Sequence, residues 1–309
     1  MVFARLERGM FMVIDAPGRV TDRVVLLGRK ESNVYLLRGR DEDVLLGGGM
    51  AYIVPDMLRQ IDEFEIEEER IKRIIIHHTH FDHVGIVPFF KKRMPWIKVT
   101  ASQRARDRLA SPKVMETIVG FNRMLLSRTG MEDKAVEFGL DAKQIEVDEV
   151  VSDGDILSCS DLSLEIMETP GHSSCSISVY IPEEKILAAS DAGGIPFGDE
   201  IFAAANSNFD LYQKSLERLS RLDVETFLAE HYGAFTGKDG REFIARSMDA
   251  ARNTRGLIEE SLERTGDVDK TTQEVMDIMQ QTTGDYFLPR EIMEMVLGQM
   301  TRFLFDARA

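Results

Sequence analysis

Four of the chain's six histidines fall within seven residues, in Ile76-His77-His78-Thr79-His80-Phe81-Asp82-His83-Val84-Gly85, and this segment constrains the fold more than any other. It follows directly on Ile71–Ile76, whose closing run of three isoleucines predicts a strand buried on both faces. A polar cluster at the C-terminal end of such a strand sits where α/β sheets bind ligands. Imidazole is the commonest neutral metal ligand, and imidazoles clustered with a carboxylate suit zinc, iron or manganese. His78 and His80 are two apart, so at a strand end both point to one side, while His77 points to the other. His77 therefore reads as a supporting or packing residue. Asp82 and His83 lie just beyond, where the chain turns toward a helix. The turn can present two pairs of ligands to neighbouring ions.

The other histidines sit in the same kind of place. His172 lies in Thr-Pro-Gly-His-Ser, after a strand predicted over Leu162–Glu168. Asp191 lies in Ala-Ala-Ser-Asp, after a strand over Ile186–Ala189, and His231 in Ala-Glu-His-Tyr-Gly, after a strand over Thr226–Ala229. Shared placement at strand ends argues for one site. Further strands are predicted at Phe11–Ile14, Val24–Leu27, Val34–Leu37, Val44–Leu46, Ile97–Thr100, Glu146–Val151 and Ser176–Ile181. Helical periodicity marks Pro55–Phe64, 84–93, Ser102–Leu109, Val114–Ser127 and 210–222. From about Arg241 strand signals vanish, leaving helices near 241–264, 271–281 and 289–306. The methionines of this region, Met276, Met279, Met293, Met295 and Met300, read first as core packing.

His-x-His-x-Asp-His at 78–83, Gly-His at 171–172, the strand-end Asp191 and the last His231, separated by 89, 19 and 40 residues, resemble the signature of the metallo-β-lactamase superfamily. The likeness covers roughly residues 10–235. It implies an α/β fold, an αββα metallo-β-lactamase sandwich with an additional C-terminal helical segment. The expected division is a catalytic domain over 1–240 and a helical segment over 241–309 that covers the active site. The resemblance further implies two divalent metal ions, zinc or iron with manganese as a third option. His78, His80 and His172 would hold one, Asp82, His83 and His231 the other, and Asp191 would bridge them. Asp82 and Asp191 are the expected catalytic residues, Asp82 also assisting proton transfer. Within the superfamily, three segments are similar to the quinolone-signal response thioesterases, which act on 2-aminobenzoylacetyl-CoA. They are the insert after Ala101-Ser102 with Phe121-Asn122-Arg123, the stretch Tyr212–Leu222, and Asp285-Tyr286-Phe287-Leu288-Pro289.

The expected activity is hydrolysis of a thioester or ester carbonyl, lactones included, by metal-activated water. A metal brings the pKa of bound water from about 15.7 toward ~7, so no Ser or Cys nucleophile is needed. Two alternatives belong to other classes. One is redox chemistry at a di-iron or mononuclear iron centre; the di-iron members carry Glu where this chain has His80, and no flavodoxin-like module follows. The other is a regulatory binding protein with a structural metal site.

Composition narrows the partners. A net charge of −15 disfavours a nucleic-acid partner. Two cysteines, Cys159 and Cys175, make no disulfide framework, and Cys175 reads as a small buried strand residue. Arg5, Glu7 and Arg8 interrupt any apolar leader, and no apolar run reaches the ~20 residues of a membrane span, so a cytoplasmic protein that does not engage the membrane is expected. A small-molecule acyl thioester or ester is the expected partner, and a homodimer is compatible. Lys91-Lys92-Arg93 reads as a solvated helix end, and Phe197, Phe202 and Phe287 as core aromatics or as the lining of an acyl pocket.

Overall fold

The computed structural model describes residues 13–283 and 290–308. The described chain opens with β1 (Val13–Ile14) and then lays down seven strands in sequence order: β2 (Gly18–Arg19), β3 (Val24–Arg29), β4 (Ser32–Arg38), β5 (Asp43–Leu46), β6 (Ile71–Ile75), β7 (Lys98–Ser102) and β8 (Glu149–Val151). The first four of these are antiparallel neighbours, and β5 through β8 run parallel. Parallel neighbours need crossovers, and helices supply them. These are α1 (Val54–Glu63), α2 (Val87–Arg93), α3 (Gln103–Leu109) and α4 (Pro112–Arg128). Pro112 opens α4 where a missing N–H costs nothing. Pro88 likewise falls in the first turn of α2, so the helix predicted over 84–93 starts only at Val87.

A second sheet takes β9 (Ile156–Cys159), β10 (Leu162–Glu168), β11 (Ile177–Ile181) and β12 (Ile186–Ala188) as an antiparallel meander. A separate hairpin, β13 (Ile195–Phe197) and β14 (Glu200–Phe202), and α5 (Phe209–Leu219) lead to β15 (Thr226–Leu228), which returns parallel to β12. β16 (Ala234–Thr236) pairs antiparallel with β15, and β1 closes the edge. Three helices end the chain, α6 (Gly237–Thr265), α7 (Val268–Thr283) and α8 (Arg290–Asp306).

Three apolar clusters hold four layers together. Between the sheets lie alternate residues of each, such as Leu26, Leu37, Leu46 and Ile75 against Leu164, Ile177 and Val179. The intervening residues of the first sheet, Leu27, Leu36, Leu45 and Ile74, face α1 to α4. Ile74 and Ile75 thus bury opposite faces of β6, as its isoleucine run predicts. Behind the second sheet, Leu187, Phe227 and Phe235 meet α5 to α8. The fold is therefore the α/β/β/α sandwich, with α6–α8 sharing the core of its second helical layer. Met276, Met293 and Met300 are buried there and Met279 packs against them, whereas Met295 is exposed. No described helix is long and apolar enough to cross a membrane.

Cys175 is buried but lies in the turn before β11, not on a strand. The strand predicted over Glu146–Val151 is formed only from Glu149. Phe202 belongs to the core, Phe197 meets the Tyr232 ring edge-on at 5.2 Å, and Phe287 and Asp285–Pro289 lie outside the described residues. Lys91 and Arg93 at the end of α2 pair with Asp148 and Glu68.

Candidate metal centre

The first sheet delivers its histidines through the loop after β6. Residues 76–80 form a bent loop past the strand end, and Phe81–His83 form a single 3-10 turn. Asn122 of α4 pins this loop: its Oδ1 accepts from Ala51 N at 2.9 Å and its Nδ2 donates to Phe81 O at 2.7 Å. From the second sheet comes the Pro170-Gly171 turn, with Gly171 at φ 135°. A Cβ there would collide with the backbone of Tyr212 on α5, so glycine lets the helix pack onto the turn carrying His172. Asp191 lies in the 3-10 turn after β12, and His231 beyond β15. Ser190 (φ 49°) and Tyr232 (φ 61°) adopt left-handed backbone beside these two residues. Such conformations cost of order 1–3 kcal/mol each and cluster at functional sites. Tyr232 N donates to Lys30 O at 2.6 Å and Gly233 N to Asn33 Oδ1 at 2.6 Å, so the β3–β4 turn fixes the His231 loop.

All seven residues singled out from the sequence come together. His78 Nε2, His80 Nδ1 and His172 Nε2 lie 2.9, 3.1 and 3.2 Å from one another, and Asp191 Oδ2 is 3.4 Å from His172 Nε2. Beside them, His83 Nε2 is 3.2 Å from His231 Nε2, and Asp82 Oδ2 is 3.6 Å from each. Asp191 faces both groups, with Oδ2 3.1 Å from His83 Nε2 and Oδ1 3.6 Å from His231 Nε2. All are buried except His80, which is partly exposed and marks the open side.

The hydrogen bonds behind the rings decide which atoms face inward. His172 Nδ1 donates to Ala204 O at 2.8 Å and His231 Nδ1 to Glu31 O at 2.7 Å. A carbonyl only accepts, so in each neutral ring the proton lies on Nδ1 and Nε2 turns a lone pair inward. Lone pairs packed about 3 Å apart repel unless positive charge lies among them. Tetrahedral ligands at about 2.0–2.1 Å from zinc stand about 3.3 Å apart, close to the spacing of these nitrogens. The buried His/Asp clusters are thus consistent with a dinuclear metal site.

Electrostatics agree. Burial, reinforced by neighbouring imidazoles, holds the pKa of His78 and His80 well below the ordinary value, and burial lowers that of His172. These rings stay neutral, the state in which an imidazole can bind a metal. Burial alone would lower His83 as well, but Asp191, Asp82 and Glu230 outweigh it and raise its pKa well above the ordinary value. Burial would raise Asp191, yet His83, His231 and His172 hold it far below the usual carboxylate range.

Glu230 is the residue that the sequence reading missed. Its buried carboxylate accepts from His77 Nδ1 at 2.5 Å through Oε1, and its Oε2 is hydrogen-bonded to His83 Nδ1. Both histidines outweigh the burial and lower its pKa to about 2. His77 Nε2 is buried with no hydrogen-bond partner among the described residues, which costs about 1–3 kcal/mol. The one signal in the sequence was an acidic residue directly before His231. The carbonyls of Glu31 and Ala204 carry no such signal.

With fold and site described, the chain belongs to the metallo-β-lactamase superfamily, whose family model matches residues 27–231. Among characterised relatives, the human acyl-coenzyme A thioesterase MBLAC2 is 27% identical over 216 residues, covering 66% of this chain and 74% of that protein. The chicken protein of the same name is 26% identical over 213 residues, covering 66% and 73%. A metallo-β-lactamase family protein from Thermus thermophilus superimposes with a TM-score of 0.65 at 18% identity, covering 94% of this chain and 95% of that one. An archaeal superfamily protein from Sulfolobus tokodaii gives 0.57 at 16% identity, covering 97% and 99%. These last two bear on the fold alone.

Proposed function

We propose that this protein is a metal-dependent hydrolase of acyl thioesters or related esters, of the acyl-CoA thioesterase type. The observation that carries the reading is the inward convergence of imidazole lone pairs and two carboxylates in two adjoining groups. In this reading His78, His80 and His172 hold one divalent ion, Asp82, His83 and His231 the other, and Asp191 bridges them. When bound, two such ions supply water of lowered pKa and polarise a carbonyl oxygen. The chain's own residues do the rest. Ala204 O, Glu31 O and Glu230 engage the outer Nδ1 atoms of His172, His231 and His83 and so aim their Nε2 atoms inward. Asp191 stays ionised between the two groups, and Asp82 Oδ2 is the atom proposed to take and return a proton.

The distant relationship to acyl-CoA thioesterases supports a thioester substrate, as does the resemblance to the quinolone-signal thioesterases. Next to the partly exposed His80, the half-buried rings of Phe81 and Phe121 stack with centroids 4.8 Å apart. They offer an apolar wall for an acyl group beside the open side of the centre. Residues 1–240 are proposed as the catalytic domain and 241–309 as the segment that covers it. In support, a Cβ at Gly194, three residues beyond Asp191, would fall 2.8 Å from Ser247 Oγ of α6.

The test is hydrolysis of acyl-CoA, glutathione thioester and lactone substrates by protein of measured metal content, with Asp191→Ala alongside. Metal-dependent turnover that falls at least ~100-fold in the variant is expected. Turnover that survives the substitution intact rejects the reading. Oxygen-dependent turnover with iron bound would favour the redox alternative instead.

A further inference from the structure

Four features meet at one point behind the centre. Glu230 is enclosed and shares its two oxygens between His83, a residue of the candidate ion sites, and His77, which faces the other way. The Nε2 of His77 is buried and unbonded among the described residues. The backbone leaves room for this carboxylate: a Cβ at Gly47 would fall 2.6 Å from Glu230 Oε1. Finally, the peptide of Glu230 is tied down by Asn33 N, which donates to its carbonyl at 2.7 Å, while Tyr35 Oη donates to Ala229 O at 2.6 Å. The structure therefore holds the carboxylate from both ends, and the side chains bonded to it among the described residues are two histidines.

We propose that the His77–Glu230 pair is a positioning clamp specific to the Asp82/His83/His231 group, and that it sets whether the centre holds two ions or one. This rests on the dinuclear reading above. The physical argument is directional. A carboxylate accepting the Nδ1 proton of His83 fixes that ring's tautomer, orients Nε2 inward and raises its basicity, and outer partners of this kind typically change metal affinity about 10–100-fold. In the other group, His172 has a backbone carbonyl behind it and His78 Nδ1 has only Ser190 Oγ at 3.5 Å, a hydroxyl that also lies 3.4 Å from His83 Nδ1; neither ring is backed by a carboxylate among the described residues. Glu230 itself needs the His77 N–H, because a buried carboxylate with one oxygen unbonded would rotate or take up a proton rather than hold His83. His77 engages Glu230 through Nδ1, while its Nε2 has no hydrogen-bond partner among the described residues.

The experiment titrates Zn2+ into chelator-stripped full-length protein and counts ions by elemental analysis. A Co2+ titration in parallel reads paired against isolated ions by their spectra. Wild type should take up two ions. Glu230→Gln, which keeps the shape and offers only a neutral oxygen or an N–H, should take up one tightly and the second about 10–100-fold more weakly, with the isolated-ion spectrum at one equivalent. His77→Ala should do the same. His77→Asn, whose side-chain N–H can occupy the position of Nδ1–H, should restore two, an outcome that a purely structural role for His77 does not give. Two tightly held ions in both Glu230→Gln and His77→Ala would overturn the proposal, as would loss of the His78/His80/His172 ion instead. A wild-type protein that takes up fewer than two ions would instead reject the dinuclear reading on which it stands. Circular dichroism on each variant identifies unfolding, and if Glu230→Gln unfolds, the His77→Ala and His77→Asn pair decides.

Discussion

The glycine at position 47 ties the first sheet to the carboxylate behind the centre, and replacing it with alanine has a cost that can be worked out. Gly47 follows β5 at φ 91°, a conformation that costs an L residue about 1–3 kcal/mol. The new methyl would lie 2.6 Å from Glu230 Oε1, 2.9 Å from its Cδ and 3.3 Å from its Cγ. Glu230 is enclosed, so the overlap must be relieved by shifting packed atoms, at a cost of about another 1–3 kcal/mol. Gly47→Ala should thus destabilise by about 2–6 kcal/mol, from strain and overlap together. The two parts separate in a double-mutant cycle. Glu230→Ala removes all three colliding atoms but leaves the backbone strain, so in that background Gly47→Ala should cost only about 1–3 kcal/mol. Urea unfolding in the presence of a chelator measures both, free of metal linkage. If the two backgrounds give costs equal within about 0.5 kcal/mol, Glu230 is not what the glycine accommodates, and the reasoning fails.

Other expectations concern protons and packing. The raised pKa of His83 means that in the metal-free protein this ring is still protonated at pH 7, a contribution to stability that is full below the ordinary value near 6.5 and lost as pH rises through the raised one. Binding an ion at Nε2 must expel that proton, so calorimetry at pH 7 in buffers of differing ionisation enthalpy should show release of about one proton per protein as the His83 group fills; a buffer-independent heat would contradict it. Phe227 is fully buried and stacks on Phe243 at 3.9 Å between centroids, 13° from parallel, so Phe227→Ala should cost about 3–5 kcal/mol in thermal or denaturant unfolding. Asn122→Ala leaves the Ala51 N–H unbonded in the interior and frees Phe81 O, and should cost about 1–3 kcal/mol while loosening the His80–His83 loop to hydrogen exchange.

Long and strongly patterned elements were legible in the sequence. Leu162–Glu168 matches its strand end to end, and the helices predicted near 241–264, 271–281 and 289–306 correspond to α6, α7 and α8. Some short strands were not: β16 was not singled out, although β12 and β15 are equally short and were, and β13 was masked by Pro196 inside its run. The Gly198-Asp199 pair between β13 and β14 is a tight-turn signal that could have revealed the hairpin. At the site, the seven residues stood out because histidine is rare in this chain and each fell near a strand end. What supports them did not. Glu230 is one acid among many in an acidic chain, and the carbonyls of Glu31 and Ala204 belong to the backbone, whatever side chain stands there. Support of this kind depends on chain geometry after folding, which residue type does not encode.

The residues of the centre come from both sheets: His78, His80, Asp82 and His83 from the first, His172, Asp191 and His231 from the second. Ions bound there would act as rivets between the two halves of the sandwich, because neither half alone supplies a full set. A growing chain could not lock them in until residue 231 had been made and β15 had docked beside β12. Metal loading would then be a late event in assembly, one that reports that the halves have met in register. In the mature protein, sliding one sheet against the other would require breaking coordination bonds as well as apolar contacts. The halves of a metal-loaded protein should accordingly open together in hydrogen exchange, whereas after chelation they are free to open separately.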